Sequence, residues 1–137
     1  MDNRQKFFIC SQCGNLGVFI LNQNAVIMCC GKEMKMLEPN IEEVNFDDHI
    51  PVITDTGGGI LKIQIGNPLH PAEEDHRILF IYVESIYGNI QYVNMNINID
   101  DEITDPLTTF YYNDDRPKTI YAYCSKHGFI QKEYKGL

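Results

Sequence analysis

The residues of this chain with the clearest chemical potential are a cysteine and a histidine near its C-terminal end. They stand in the run Tyr123-Cys124-Ser125-Lys126-His127-Gly128. A thiolate and an imidazole are strong ligands for late first-row metals, and Gly128 gives the backbone the freedom for a tight turn that directs both at one point. The other histidines of the chain are His49, His70 and His76. The residues therefore predict a metal centre of four imidazoles and one thiolate, gathered from three distant segments.

The same residues allow a second interpretation, a tetrahedral zinc site that leaves His49 merely nearby. Its ligands would be Cys124, His127, His70 and His76, since tetrahedral zinc is the commoner kind of site with nitrogen and sulfur ligands. His70 and His76 are too far apart in sequence to share one face of a helix as i, i+4 ligands do. We therefore expect them on a loop and at the start of the strand that follows it.

The four remaining cysteines form two pairs, Cys10 with Cys13 and Cys29 with Cys30. An odd total of five cysteines in a reducing compartment argues against a disulfide framework. The pairs predict a tetrathiolate site, for which zinc and iron are both suitable. Because adjacent residues cannot both adopt the relaxed geometry of a C-x-x-C pair, we expect distorted S–metal–S angles at Cys29 and Cys30.

The elements that must hold these ligands suggest two domains, residues 1–38 and 39–137. The first contains short apolar segments that predict strands at Phe7–Ile9, Val18–Leu21 and Ala25–Met28. Such a piece is too small to be stabilised by apolar burial alone, and a metal would hold it together. It would also need a partner to cover its apolar face, which predicts a homodimer through Phe7, Phe8 and their neighbours. Pro39 marks the linker.

The second domain has the pattern of an all-β fold. Leu61, Ile63 and Ile65 alternate with polar residues, which is typical of a half-buried strand. Further strands are predicted over residues 78–83, 91–99, 108–112 and 119–123, and the last of these leads to Cys124. Several short strands separated by turn signals predict a β-sandwich.

The composition excludes some classes of partner and location. The chain of 137 residues has a net charge of −8 and a sequence pI of about 4.8, whereas nucleic acids and anionic membranes bind basic patches. The sequence contains no apolar run near the ~20 residues of a membrane helix. Its polar N-terminus leads to no signal-peptide core, so we expect a cytoplasmic protein.

Over nearly its full length the chain resembles desulfoferrodoxin, the two-centre class of superoxide reductase. The resemblance rests on five motifs in the family's order: Cys10-Ser11-Gln12-Cys13-Gly14-Asn15, Cys29-Cys30-Gly31-Lys32-Glu33-Met34-Lys35, His49-Ile50-Pro51-Val52-Ile53, His70-Pro71-Ala72-Glu73-Glu74-Asp75-His76 and Tyr123-Cys124-Ser125-Lys126-His127-Gly128. It implies a desulforedoxin-like N-terminal domain with an Fe(Cys)4 site, followed by an immunoglobulin-like β-sandwich with a square-pyramidal Fe(His)4(Cys) site. Every cysteine and histidine is then used once. The equatorial ligands would be His49, His70, His76 and His127, and the axial ligand would be Cys124.

The resemblance also implies an activity, the one-electron reduction of superoxide to hydrogen peroxide. The thiolate would lie opposite the open iron position and favour release of the product. A rubredoxin-like protein would return the iron to its reduced state.

One motif departs from the family pattern, in which Glu-Lys-His-Val-Pro is usual. Here the residues are Asp47-Asp48-His49-Ile50-Pro51. The resemblance implies that Asp48 replaces a lysine that attracts superoxide, and that Asp47 is shorter than the glutamate that caps the oxidised iron. Lys126 is the best substitute cation by its position in the sequence. This departure keeps two other hypotheses open, a non-catalytic iron-binding electron-transfer protein and a purely structural zinc protein.

Overall fold

The computed structural model describes residues 6–21, 25–38, 49–96, 98–99 and 102–134. These residues form fourteen β-strands and no helix, which confirms the all-β prediction for the described part of the chain. In that part there is accordingly no helix long and apolar enough to cross a membrane. The chain divides into two compact units, Met1–Glu38 and Pro39–Leu137.

The first unit contains five very short strands. They are β1 (Phe7–Ile9), β2 (Leu16–Val18), β3 (Met28–Cys29), β4 (Lys32–Glu33) and β5 (Lys35–Met36). An antiparallel sheet has the order β2-β1-β5, and β3 pairs with β4 separately. Among the described residues of this unit, Phe7 and Cys10 alone are fully buried. The apolar core is therefore minimal.

Two of the predicted strands in this unit are wrong. The strand predicted at Val18–Leu21 ends at Val18, and Ile20 and Leu21 are 98% and 79% exposed. The strand predicted at Ala25–Met28 begins only at Met28. The position of β2 is set by the turn after Cys10. In this turn the N–H of Cys10 donates to the Asn15 carbonyl, which places Leu16 opposite Ile9. Apolar pattern alone did not reveal this register.

The buried position of Phe7 also corrects the expected dimer surface. Phe7 is 3% exposed, and Phe8 packs edge-on against Phe19 with ring centroids 5.7 Å apart. Phe7 is therefore not available for contact with a partner.

The second unit is a sandwich of two antiparallel sheets. Its strands are β6 (Pro51–Gly57), β7 (Ile60–Ile65), β8 (Ile78–Ser85), β9 (Ile90–Asn94), β10 (Asn98–Ile99), β11 (Glu102–Ile103), β12 (Leu107–Tyr111), β13 (Pro117–Cys124) and β14 (Gly128–Glu133). One sheet has the order β12-β7-β6 and the other β14-β13-β8-β9, while β10 and β11 pair apart. Three strands facing four is the arrangement of immunoglobulin-like sandwiches.

The core of the sandwich lies between these sheets. The alternating residues Leu61, Ile63 and Ile65 are all fully buried. They belong to one apolar cluster with Ile81 of β8 and Ile120 of β13. Burying such a side chain is worth about 1.5–3 kcal/mol, so this unit has a source of stability that needs no metal.

The strand predicted over residues 91–99 is interrupted. β9 ends at Asn94, whose Oδ1 accepts a hydrogen bond of 2.8 Å from the N–H of Asn96. Asparagine side chains commonly replace a backbone acceptor in this way and so initiate turns. Residues 98–99 belong to a separate strand, β10.

Strand polarity brings the predicted ligands to one end of the sandwich. Cys124 ends β13, while His127 immediately precedes β14 and His49 and His76 lie two residues before β6 and β8. His70 lies on the connection from β7 to β8. In antiparallel sheets the end of one strand adjoins the start of the next. Segments distant in sequence therefore meet here.

Candidate metal centres

The four imidazole rings of the second unit form a near-square. The centroids of successive rings are 4.8 Å (His49–His70), 4.7 Å (His70–His76), 5.1 Å (His76–His127) and 4.8 Å (His127–His49) apart. The diagonal from His49 to His76 is 6.4 Å. Adjacent ring planes meet at 76° to 82°. A square of imidazoles is the arrangement predicted for a centre with four histidine ligands and differs from a tetrahedron.

Donor-atom distances support the same geometry. His49 Nε2 and His127 Nδ1 are 3.0 Å apart. Two nitrogens at about 2.1 Å from one ion are about 3.0 Å apart at a right angle and about 3.4 Å apart at a tetrahedral angle. The observed distance matches ligands at right angles.

The thiol of Cys124 adjoins this square and is 1% exposed. Its Sγ lies 3.2 Å from His70 Nε2 and 3.8 Å from His127 Nδ1. The N–H of His127 donates to Sγ over 3.4 Å. The tight turn that allows this contact ends at Gly128, whose φ of 91° is costly for any residue with a Cβ atom. We call the four histidines and this cysteine together the four-histidine centre.

The protonation of two rings suits metal binding. His70 Nδ1 is 2.9 Å from the Pro71 carbonyl, which can only accept, so this nitrogen carries the proton and Nε2 keeps its lone pair. His76 Nε2 is buried without a hydrogen-bond partner. A buried polar atom without a partner is costly, and a metal ion would supply the missing interaction.

Burial is the largest cause that lowers the pKa of His76 below its usual value. The neighbouring His127, Lys126 and His49 lower the pKa further, and Glu73 opposes them weakly. A ring that resists protonation is available as a neutral ligand near neutral pH.

The four cysteines of the first unit also converge. Their sulfurs lie within 4.8 Å of one another, with 3.7 Å between Cys13 and Cys29 and 4.0 Å between Cys29 and Cys30. Four sulfurs at about 2.3 Å from one ion in a tetrahedron are about 3.8 Å apart. Cys10 is buried, whereas Cys13 and Cys30 are exposed.

The hydrogen bonds of these thiols shift their pKa values in opposite directions. Backbone N–H groups of Cys13 and Gln12 lower the pKa of Cys10 to about 6. Hydrogen bonding with the neighbouring sulfurs, first that of Cys13, raises the pKa of Cys30 to about 12, and the pKa of Cys29 is raised for the same reason. Cys10 thus forms a thiolate readily, whereas Cys29 and Cys30 resist ionisation beside it. A metal ion would offset the repulsion between neighbouring thiolates.

The adjacent pair of cysteines strains the backbone. Cys30 has a φ of 54°, a left-handed conformation that is unfavourable for a residue other than glycine. The distorted S–metal–S angles expected at Cys29 and Cys30 remain a prediction.

Of the three residues expected to act on the substrate, the structure describes Lys126. It lies exposed in the turn between Cys124 and His127. Asp47 and Asp48 lie outside the described residues.

Sequence reasoning assigned no role to Asn15 or Ser125. Asn15 Nδ2 donates to Cys29 Sγ over 3.8 Å. Ser125 Oγ contacts the backbone of Asp75 and Arg77, the residues before and after His76. Both residues belong to the motifs that contain the ligands, and their closeness to the ligands in sequence could have identified them.

The family model for desulfoferrodoxin matches residues 41–133. This chain belongs to the desulfoferrodoxin family. A desulfoferrodoxin homolog of Methanothermobacter thermautotrophicus is 33% identical over 93% of this chain and 98% of its own length. The desulfoferrodoxin of Syntrophotalea carbinolica is 29% identical over 97% of this chain and 99% of its own length.

Solved structures show the same fold. The superoxide reductase of Treponema pallidum superposes with a TM-score of 0.71 at 21% identity, covering 97% of this chain and 100% of that protein. A variant superoxide reductase (neelaredoxin) of Archaeoglobus fulgidus gives a TM-score of 0.53 at 22% identity, covering 66% and 89%. The four cysteines form one group of close donor atoms, and His49, His76, His127 and Cys124 form the other. His70 adjoins the second group through its contact with Cys124. These groups match the two mononuclear iron sites of desulfoferrodoxins, which confirms the predicted cofactors.

Proposed function

We propose that this desulfoferrodoxin reduces superoxide to hydrogen peroxide at its four-histidine centre. The observation that supports this most is the near-square of His49, His70, His76 and His127 with the Cys124 thiol beside it. Four imidazoles and one thiolate leave the sixth position of an octahedral ion open for a small anion. Bound iron(II) would supply the electron, and its charge would favour a negatively charged substrate.

The side chains around the site have different functions in this proposal. The imidazoles would hold the ion, and Cys124, which is 1% exposed, would donate electron density from a side that water does not reach. His76 and His127 are half-buried, so solvent can reach their edge of the plane. One superoxide needs one electron and two protons to become hydrogen peroxide, and water at this edge can deliver the protons.

We assign Lys126 as the cation that attracts superoxide. A net charge of −8 repels an anion at long range. Lys126 is exposed beside the ligands, and its positive charge contributes to the lowered pKa of His76. In this proposal Asp48 weakens the attraction, and Asp47 caps the oxidised iron less effectively than a longer glutamate would.

We further propose a rubredoxin-like protein as the electron donor and the cytoplasm as the location. Each turnover consumes one electron, so a donor must restore the iron. None of the five cysteines forms a disulfide, which suits a reducing compartment.

A homodimer through the first unit completes the proposal. Ile20, Leu21, Val26 and Met28 are 98%, 79%, 65% and 59% exposed, a large apolar exposure for so small a unit. Sedimentation at micromolar concentration should give twice the chain mass, and Leu21→Lys with Val26→Lys should give the monomer. A monomeric native chain would contradict this part.

The activity is tested by counting products. The protein with reduced iron in the four-histidine centre is mixed with superoxide from pulse radiolysis, and hydrogen peroxide and dioxygen are measured. We expect one hydrogen peroxide per superoxide and no dioxygen, whereas a dismutase would yield half as much peroxide together with dioxygen. Protein loaded with redox-inert zinc is the control and should not react. Failure of the iron protein to react would favour the non-catalytic electron-transfer function.

A further inference from the structure

Ser125 lies between two ligand-bearing segments of the four-histidine centre. One segment is the turn from Cys124 to His127, and the other is the loop that contains His76. The N–H of Ser125 donates to the Arg77 carbonyl over 2.9 Å. In return, the N–H of Arg77 donates to Ser125 Oγ over 3.0 Å.

Ser125 and Arg77 resemble a hydrogen-bonded pair of an antiparallel sheet in which one acceptor is replaced. In a regular hydrogen-bonded pair, each residue donates its N–H to the backbone carbonyl of the other. Here the side-chain oxygen of Ser125 takes the place of its own carbonyl as the acceptor for Arg77. The regular register ends with Cys124 opposite Ile78 and already shifts there. The serine thus continues the pairing while the backbone turns away toward His127.

The same hydroxyl also reaches the other side of His76. Ser125 Oγ lies 3.5 Å from the Asp75 carbonyl, to which it can donate weakly. The residues before and after His76 are therefore both connected to one side chain. On the far side of Ser125, the His127 N–H donates to the sulfur of Cys124.

We propose that Ser125 is a positioning residue that holds the His76 imidazole and the Cys124 thiolate in register around the iron. It touches neither the metal nor the substrate. Residues that orient metal ligands typically change metal affinity by about 10-fold to 100-fold when they are mutated. Ser125 is exposed, and water can partly replace its hydrogen bonds, so we expect an effect near the lower end of that range.

The chain offers a matched control at the opposite end of β8. Ser85 Oγ accepts from the N–H of Asn89 over 2.8 Å and donates to Asp115 over 2.7 Å. Ser85→Ala therefore removes the same kind of hydrogen bond, at a site that contains no iron ligand. Both alanine variants should unfold at a lower temperature than the native chain.

The test follows iron instead of turnover, so its result does not depend on the proposed superoxide activity. Iron release from the four-histidine centre of the full chain to an excess of chelator is timed, and the thiolate-to-iron absorption band is recorded. We expect Ser125→Ala to release iron about tenfold faster and to shift that band. Ser125→Thr, which keeps the oxygen, should behave as the native chain.

Two results would overturn the proposal. One is native release and an unshifted band in Ser125→Ala. The other is the same acceleration in Ser85→Ala, which would mean that lower overall stability, and not ligand position, controls the release of iron.

Discussion

The two metal centres differ in how much their surroundings depend on the metal. In the first unit, Cys10 is one of the two fully buried residues among those described, so the ligands themselves make up much of the core. In the second unit, the ligands lie at one end of a sandwich whose core contains Leu61, Ile63 and Ile65, all at 0% exposure. The first metal site is therefore part of the small core, whereas the second lies beside an apolar core that contains none of its histidines.

The ligands of the two centres also differ in their reach along the chain. The four cysteines fall within 21 residues of each other, on short hairpins. The second site joins His49 to His127 across a separation of 78 residues. Loop-closure entropy opposes such distant contacts, and the sandwich core offsets that cost. A site built from such distant ligands therefore depends on a scaffold that brings their strands together.

Removal of both metals should produce the largest effect and separate the units. After chelation under reducing conditions, we expect backbone amides of the first unit to exchange rapidly with deuterium, while those of β7, β8 and β13 stay protected. The reason is that a structural metal can supply about 10 kcal/mol or more of folding free energy, which the first unit cannot replace. Equal loss of protection in both units would refute the contrast.

Cys124→Ser should abolish most activity without affecting the first centre. Serine is a harder ligand and a poorer electron donor than a thiolate. We expect loss of the thiolate-to-iron absorption band and of most superoxide reduction, while the colour of the Fe(Cys)4 site persists. Visible absorption retained by the second centre in this variant would contradict the ligand assignment.

Cys13→Ser should have the opposite selectivity. Cys13 lies 3.7 Å from Cys29 in the sulfur cluster, and we expect its loss to alter or remove the colour of the first centre. Superoxide reduction by pre-reduced protein should continue at the native rate, since the reaction needs only the open iron of the sandwich. Both properties are measured on the same sample, after iron in the second site has been quantified. A parallel fall in both would show that the centres are not separable.

Lys126→Gln tests whether local charge matters at the second centre. We expect the second-order rate with superoxide to fall by a factor of a few to about tenfold at low ionic strength, the scale of electrostatic steering. The difference should shrink with added salt because of screening. Lys118→Gln is the control. It removes the same charge from the opposite end of β13, about 20 Å away at roughly 3.3 Å per residue. An equal fall in both variants would indicate an effect of net charge alone.

Asp48→Lys should change the same rate in the opposite direction. Replacing an acid beside His49 by a base should raise the same rate by a factor of a few, up to about tenfold, and salt should reduce the gain. Pulse-radiolysis kinetics across ionic strength measure it. A variant no faster than the native chain at low salt would show that position 48 does not steer the substrate.

The sequence by itself predicted the identity and number of the ligands. Thiolate and imidazole side chains can bind a metal wherever the strands begin and end. The motifs around them indicate the family. The alternation of Leu61, Ile63 and Ile65 likewise predicted a half-buried strand, because period-two patterns are a property of the extended backbone.

Only the tertiary structure decided the geometry of the second site. Whether His49 joins the other three imidazoles depends on which strands begin and end at the same edge, and that is a matter of sheet pairing between residues far apart in sequence. The near-square of the four rings and the 3.0 Å between His49 Nε2 and His127 Nδ1 follow from that pairing. The contact on which the proposed role of Ser125 rests has the same origin, because Arg77 is 48 residues away and reaches Ser125 through the pairing of β8 with β13.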